Sequence, residues 1–138
     1  MGGATVSIGN NGANTAYGGG LTNGAPVKIG GGTLTLSGTN TCSGDTRVEA
    51  GTLALAGSST IRDSTSLWIA SGAMVDLAAG VNEAVTKLYL NGSVAYVGTW
   101  GSNSSAADHK DDRYFTSTGI LTVLDGPIKL DGIMLIIK

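Results

Sequence analysis

The chain of 138 residues has one histidine, His109, which lies in a short charged run where acid–base chemistry could arise. Asp108 comes directly before it. A carboxylate beside an imidazole orients the ring and helps it to accept a proton from a hydroxyl nucleophile. The hydroxyl groups nearby in sequence belong to Ser102, Ser104 and Ser105. This pattern predicts His109 and Asp108 as catalytic residues of a small hydrolase of esters or lactones.

The same run carries three carboxylates that could hold a metal ion. Asp108, Asp111 and Asp112 would offer the oxygen ligands that Ca²⁺ prefers, so calcium assistance is part of this hypothesis. The competing interpretation is a solvated charged loop, because neighbouring loop residues are not pre-organised by their sequence. One histidine and one cysteine argue against zinc. The chain also lacks the G-x-S-x-G elbow, the D-x-[DN]-x-[DN]-G calcium loop and the G-x-G-x-x-G cofactor motif.

Composition excludes several classes of protein. A net charge of -2 offers no basic face for nucleic acid, and no apolar run has the length of a membrane span. The single cysteine cannot form an intrachain disulfide. The first ten residues, MGGATVSIGN, have neither a basic nor an apolar region, so the pattern predicts no signal peptide. Abundant Gly, Thr and Val with 41% hydrophobic residues favour an ordered all-β fold.

The elements that would position these residues recur as two short extended runs joined by a turn glycine. The copies are VKIGGGTLTL (27–36), RVEAGTLAL (47–55), LWIASGAMVDL (67–77), LYLNGSVAYV (88–97), FTSTGILTVL (115–124) and IKLDGIMLIIK (128–138). The turn glycines are Gly32, Gly51, Gly72, Gly92, Gly119 and Gly132, at spacings of 19, 21, 20, 27 and 13 residues. A two-strand unit of this length cannot bury an apolar face alone, so stacking of the copies is predicted.

Stacking of these units predicts a single-stranded parallel β-solenoid of about six short coils. Period-2 alternation places Val48, Leu53 and Leu55 inside the stack. The second inner column is expected to continue to Val94 and Tyr96. The alternative is an antiparallel sandwich, for which the Asn-Gly dipeptide at 91–92 offers a hairpin turn.

Two segments depart from the repeat within the predicted single domain, residues 1–138. Residues 98–114 form an insertion that we expect to protrude from the stack. Residues 126–138 form an apolar terminal coil without a polar cap. Because a solenoid end exposes unpaired backbone groups, this coil predicts self-association through the C-terminus. The alternative is that the segment folds back over the side of the stack and is buried within one chain.

Residues 30–61, GGGTLTLSGTNTCSGDTRVEAGTLALAGSSTI, resemble the autotransporter-associated β-strand repeat, also called the passenger-associated repeat. That family's pattern is GxGTLTLSGxNTYSGGTTVxxGTLxL, from which Cys42 and Asp45 depart. Residues 88–124 resemble the segment that often follows such repeats. The resemblance implies a right-handed parallel β-helix in a bacterial surface or secreted protein. It further implies a non-catalytic scaffold for display or adhesion, with an extracellular or cell-surface location.

Four aromatic residues leave a further alternative open. Trp68 and Trp100 with Tyr89 and Tyr96 could form a strip for glycan contact, or they could pack in the core and at corners. The alternation that turns Tyr96 inward argues against a continuous strip.

Overall fold

A computed structural model of the chain describes residues 5–8, 14–17, 25–38, 44–57 and 65–128. These ranges contain β-strands and no helix, and therefore no helix long and apolar enough to cross a membrane. In chain order the strands are β1 (Thr5–Ile8), β2 (Thr15–Tyr17), β3 (Ala25–Lys28), β4 (Thr33–Leu36), β5 (Thr46–Val48), β6 (Thr52–Leu55), β7 (Leu67–Ile69), β8 (Met74–Leu77), β9 (Asn82–Val85), β10 (Leu88–Leu90), β11 (Ser93–Val94), β12 (Gly98–Gly101), β13 (His109–Lys110), β14 (Phe115–Thr116) and β15 (Ile120–Val123).

Within the described residues, the strands form three sheets. The first sheet has the order β1-β3-β5-β7-β10-β11, and all its pairs are parallel except β10 with β11. The second sheet, β14-β8-β6-β4-β2, is parallel throughout. The third sheet has the order β13-β12-β15-β9, in which only β12 and β15 run antiparallel. The predicted all-β fold with parallel sheets is confirmed.

Apolar side chains stack in register between the first two sheets. In the second sheet Leu34 lies opposite Leu53, and Leu53 lies opposite Val75. In the first sheet Val48 lies opposite Ile69. All five side chains are buried, as the alternation predicts for Val48 and Leu53. Full burial of such a side chain contributes about 1.5–3 kcal/mol, so these columns supply much of the stabilisation of the stack.

The prediction that Val94 and Tyr96 continue the second inner column is wrong. Their exposures are 43% and 40%, and Phe115 occupies the place opposite Val75 instead. The cause is the turn after β10, where Asn91 and Gly92 have φ values of 50° and 84°. Left-handed residues at both turn positions close a tight antiparallel hairpin, so the chain reverses direction at this point. The turn proposed for the antiparallel alternative is therefore present locally, at one end of a parallel stack.

Residues 98–114 are folded onto the stack. This differs from the prediction that the insertion protrudes. They contain β12 and β13 of the third sheet, and Trp100, Ala107 and Tyr114 are buried. The segment adds a sheet because β12 pairs with β15, which in turn extends β9. The extent of the single domain stays a prediction. Most of the predicted apolar coil at 126–138 lies outside the described residues.

A buried lysine links the corner that precedes β4 to the corner that precedes β6. The exposure of Lys28 is 2%, and its ammonium donates to the carbonyl oxygens of Ile29 at 2.6 Å, Gly30 at 2.8 Å and Ala50 at 3.4 Å. Burial lowers the pKa of Lys28 because the charged form loses hydration. The three carbonyl oxygens offset part of that loss, and the corner gains a tether across two coils.

Replacement of Gly51 by alanine is expected to lower the free energy of unfolding by more than about 2 kcal/mol. Gly51 has a φ of 67°, and a Cβ there would collide with the carbonyl oxygens of Gly30 and Gly32. Gly72 provides the matched control, because its φ is 88° but nothing lies within 4 Å of its Cβ position. Urea unfolding should give a smaller cost, about 1 kcal/mol, for Gly72→Ala. Equal costs for both variants would contradict the packed corner.

Candidate functional site

The structure places His109 in a small aromatic group on the third sheet. Its ring stacks on Trp100 with a centroid separation of 4.7 Å, and the Tyr96 ring lies 6.0 Å away. The His109 Nε2 atom lies 3.2 Å from the carbonyl oxygen of Val97, to which the tautomer protonated at Nε2 donates. The Trp100 indole N–H donates to the Tyr96 carbonyl oxygen at 2.8 Å. These contacts use the imidazole as a packing group that joins β13 to β12.

The candidate nucleophiles have partners other than the histidine. The Ser102 hydroxyl donates to the carbonyl oxygen of Ser117 at 2.5 Å, and the Ser105 hydroxyl donates to that of Ser102 at 2.8 Å. Ser104 is exposed. Within the described ranges, no hydrogen bond joins a serine hydroxyl to His109. The structure does not assemble a serine–histidine pair, and the hydrolase hypothesis stays a prediction that a chromogenic short-chain ester and His109→Ala would test.

The three candidate metal ligands occupy different positions in the turns around β13. The Asp108 backbone N–H donates to the Thr99 hydroxyl at 2.9 Å, while an Asp112 carboxylate oxygen accepts the Asn103 N–H at 2.7 Å. The Asp111 carboxylate forms an ion pair with the guanidinium group of Arg113. Among the residues that the structure describes, no three His, Cys, Asp or Glu side chains form a group that could hold a metal ion. The calcium site therefore stays a prediction from the sequence.

We expect the ion pair of Asp111 to make stability depend on acid pH. Asp111 accepts the backbone N–H of Arg113 at 2.9 Å and the guanidinium N–H groups at 3.1 and 2.9 Å. The Arg113 side chain holds the pKa of Asp111 below its usual range, chiefly by hydrogen bonding. A carboxyl whose pKa is lower in the folded chain stabilises it above the unfolded pKa of about 4 and loses that contribution as pH falls further.

Asp111→Asn keeps the acceptor for the backbone N–H and removes the charge. Urea unfolding should show that the variant is less stable than the parent chain near neutral pH. The difference should shrink as pH falls through the folded pKa of Asp111. A difference that does not change with pH would contradict the role of the ion pair.

A second cluster of functional side chains lies on the outward face of the first sheet. Register places Arg47, Trp68 and Tyr89 opposite one another on β5, β7 and β10. The Trp68 and Tyr89 rings are stacked with centroids 3.8 Å apart and an interplanar angle of 10°. The Arg47 guanidinium carbon lies 4.4 Å from the centroid of Trp68, on the side of β5. Both faces of the indole are therefore covered, and its edge remains for other contacts.

Asp45 fixes the orientation of this indole. Its carboxylate accepts the Trp68 indole N–H at 3.2 Å and the Ser66 backbone N–H at 2.9 Å. In the sequence, Asp45 stands out only as a departure from a glycine of the repeat pattern. The signal that could have found the cluster is the equal spacing of positions 47, 68 and 89, 21 residues in each step, which places them in one outward column. The proposed aromatic strip is in fact two groups, because Trp100 packs on the third sheet.

Beside this cluster is an open groove with a volume of about 480 Å³. Its polar side chains are those of Arg47, Glu49 and Asn91, and Trp68 forms one wall. The remaining lining residues are Val48, Ile69, Ala70 and Gly92. The groove thus combines one cation, one anion and one amide with an immobilised aromatic edge.

Comparison with known protein families finds a match in the part of the chain that contains β4, β5 and β6. The chain matches no curated protein and no solved structure. The family match extends from residue 27 to residue 62, and the resemblance seen in the sequence at 30–61 lies inside it. Residues 27–62 match the family model of the passenger-associated-transport-repeat.

Proposed function

We propose that this chain is a length of right-handed parallel β-helix, of about six coils, that serves as a scaffold for display or adhesion in an autotransporter-like bacterial protein. On this proposal the protein acts at the cell surface or outside the cell. The observation that carries it is the in-register stacking of β4, β6 and β8, which begins within the family match at residues 27–62. A repeat of this kind builds an extended surface on which other groups can be placed.

The corners of the stack supply positions for display. Ser71 and Gly72, between β7 and β8, are both exposed, and nothing lies within 4 Å of the Cβ position of Gly72. The Gly51 corner is different, because the carbonyl oxygens of Gly30 and Gly32 crowd it. Exposed loop tips tolerate insertions, whereas packed turns do not.

An epitope graft tests the scaffold role. A short peptide epitope inserted between Ser71 and Gly72 should leave the thermal midpoint within a few degrees of the parent chain and should bind its antibody. The same epitope inserted after Gly51 should lower the midpoint strongly. Loss of folding with both insertions would contradict a scaffold that carries additions at its corners.

The location is tested by placing the grafted chain in the passenger position of a bacterial autotransporter. Antibody binding to intact cells should detect the epitope, and protease added outside should remove it. A carrier with the epitope but without this chain provides the control for export. An epitope that stays inaccessible while the control reaches the surface would contradict the proposed location.

Self-association is a separate proposal about the C-terminal end. Val94, Tyr96, Leu124 and Ile128 are 40–66% exposed at the point where the chain continues into residues 129–138. An exposed apolar group of this kind favours contact with a second copy. We expect sedimentation to show a dimer for the intact chain and a monomer after removal of 129–138. A monomeric intact chain at high micromolar concentration would contradict the proposal.

A further inference from the structure

The groove beside Trp68 exists because a small residue interrupts an outward column. This column contains, in successive coils, Glu49, Ala70 and Asn91. Their alignment follows from the backbone, because the Ala70 N–H donates to the carbonyl oxygen of Val48 and the Asn91 N–H donates to that of Ile69. Neighbouring strands lie about 4.8 Å apart, so Glu49 and Asn91 are separated by roughly 10 Å. Because the side chain of Ala70 is only a methyl group, the space between the Glu49 and Asn91 side chains is open. A ligand there would meet polar side chains on two sides and the indole edge on a third.

Two of the side chains around this gap, Trp68 and Arg47, are held in place before any ligand arrives. Trp68 is fixed by Asp45 at its N–H, by Arg47 on one face and by Tyr89 on the other. Stacking on the indole also restricts the guanidinium, whose N–H donors lie in one plane. Asn91 has a φ of 50° in the hairpin turn after β10, which fixes its backbone at the end of the groove. Such pre-organisation reduces the entropy that binding would otherwise cost.

The chemistry of the groove selects the class of ligand. One guanidinium, one carboxylate and one amide give a site without net charge, which favours an uncharged ligand over an anion or a cation. A flat aromatic ligand cannot stack on the indole, because Arg47 and Tyr89 cover both of its faces. Hydroxyl groups, which donate and accept, match all three polar side chains. The volume of about 480 Å³ lies in the range of small-molecule sites.

From these observations we propose that the groove between Glu49 and Asn91, walled by Trp68, is a binding site for a neutral saccharide. The hydroxyls of the sugar pair with the carboxylate, the carboxamide and the guanidinium, while its C–H groups contact the Ala70 methyl and the indole edge. The site does not depend on the proposed scaffold role. The variants that test it change outward side chains and leave the buried columns intact.

The test is a titration of the isotope-labelled chain with maltotriose, cellotriose and chitotriose, followed by NMR. At least one of these neutral trisaccharides should shift the Trp68 indole, Asn91 carboxamide and Gly92 backbone resonances in a saturable way. The expected dissociation constant is on the order of 0.1–1 mM for a small open site. Sialyllactose, which is anionic, should bind at least tenfold more weakly.

Two matched variants locate the site. Ala70→Gln fills the open level and should weaken binding at least tenfold, whereas Ala56→Gln, on an exposed position after β6, should leave it unchanged. The spectrum of each variant without sugar shows whether the fold is retained, and Glu49→Gln should give the same loss if Ala70→Gln does not fold. Absence of saturable shifts with all three neutral sugars would overturn the proposal. It would also be overturned by equal binding in folded Ala70→Gln or by preference for sialyllactose.

Discussion

Leu53→Asp is expected to lower the free energy of unfolding by more than about 3 kcal/mol. Leu53 is 1% exposed and lies in register between Leu34 and Val75, in the middle of the second sheet. The substitution removes a buried isobutyl group and places a carboxylate in the hydrophobic core. A typical domain has about 5–15 kcal/mol of stability, so a large part of the folded population would be lost.

Thermal and urea unfolding followed by circular dichroism measure this effect. Ala56→Asp provides a control on the same chain segment, because Ala56 is exposed directly after β6. The control should change stability by no more than about 0.5 kcal/mol. A Leu53→Asp variant that melts cooperatively at the parent midpoint would contradict the buried column.

Phe115→Ala is the second substitution with a large expected cost, about 3–5 kcal/mol. Phe115 is 1% exposed and extends the inner column beyond Val75. Its ring also lies 6.4 Å from that of Trp100, so it joins the second sheet to the third. Truncation would open a cavity at the point where the chain returns to the stack after the hairpin and the third-sheet strands.

Val94→Ala is the matched control for this substitution. The repeat pattern assigns Val94 to the same inner column, whereas the structure leaves it 43% exposed. Urea unfolding should therefore show a cost within about 0.5 kcal/mol for Val94→Ala. A larger cost for Val94→Ala than for Phe115→Ala would favour the arrangement that the repeat alone predicts.

The parts of the fold that depend on alternation could be predicted from the sequence. The burial of Val48, Leu53 and Leu55 follows from period-2 patterning in strands that recur every 19 to 21 residues. A parallel stack follows because each unit must cover the apolar face of the next. The positive φ of Gly51 and Gly72 also agrees with the predicted turn positions.

The path of the chain after residue 90 could not be predicted in this way. Repeat spacing assigns every glycine to equivalent corners, yet Gly119 packs against the carbonyl oxygens of Leu77 and Ala78, at the corner after β8. Because the chain reverses at the hairpin of Asn91 and Gly92, the later strands join different sheets from those that the repeat predicts. For example, β14 pairs with β8 in the second sheet. Turn chemistry competes here with repeat periodicity, and local pattern alone does not decide between them.

The candidate sites differ in how far sequence could predict them. His109 and the nearby carboxylates are predicted as a site because they are close together in sequence. In the structure their hydrogen bonds and ring contacts join strands and turns. The groove beside Trp68 is assembled from three coils, so its residues are about 20 positions apart. Knowledge of the register is required before Arg47, Trp68 and Asn91 can be recognised as neighbours.

The most direct test of the parallel stack is the pattern of backbone nuclear Overhauser contacts in the second sheet. Parallel pairing predicts amide-to-α-proton contacts linking Leu34, Leu53 and Val75 in series, without strong contacts between α-protons of β4, β6 and β8. The antiparallel pair Tyr89 and Val94 should give a strong contact between α-protons and serves as the internal reference. Strong contacts between α-protons of β4 and β6, or of β6 and β8, would contradict the parallel stack on which the proposed scaffold depends.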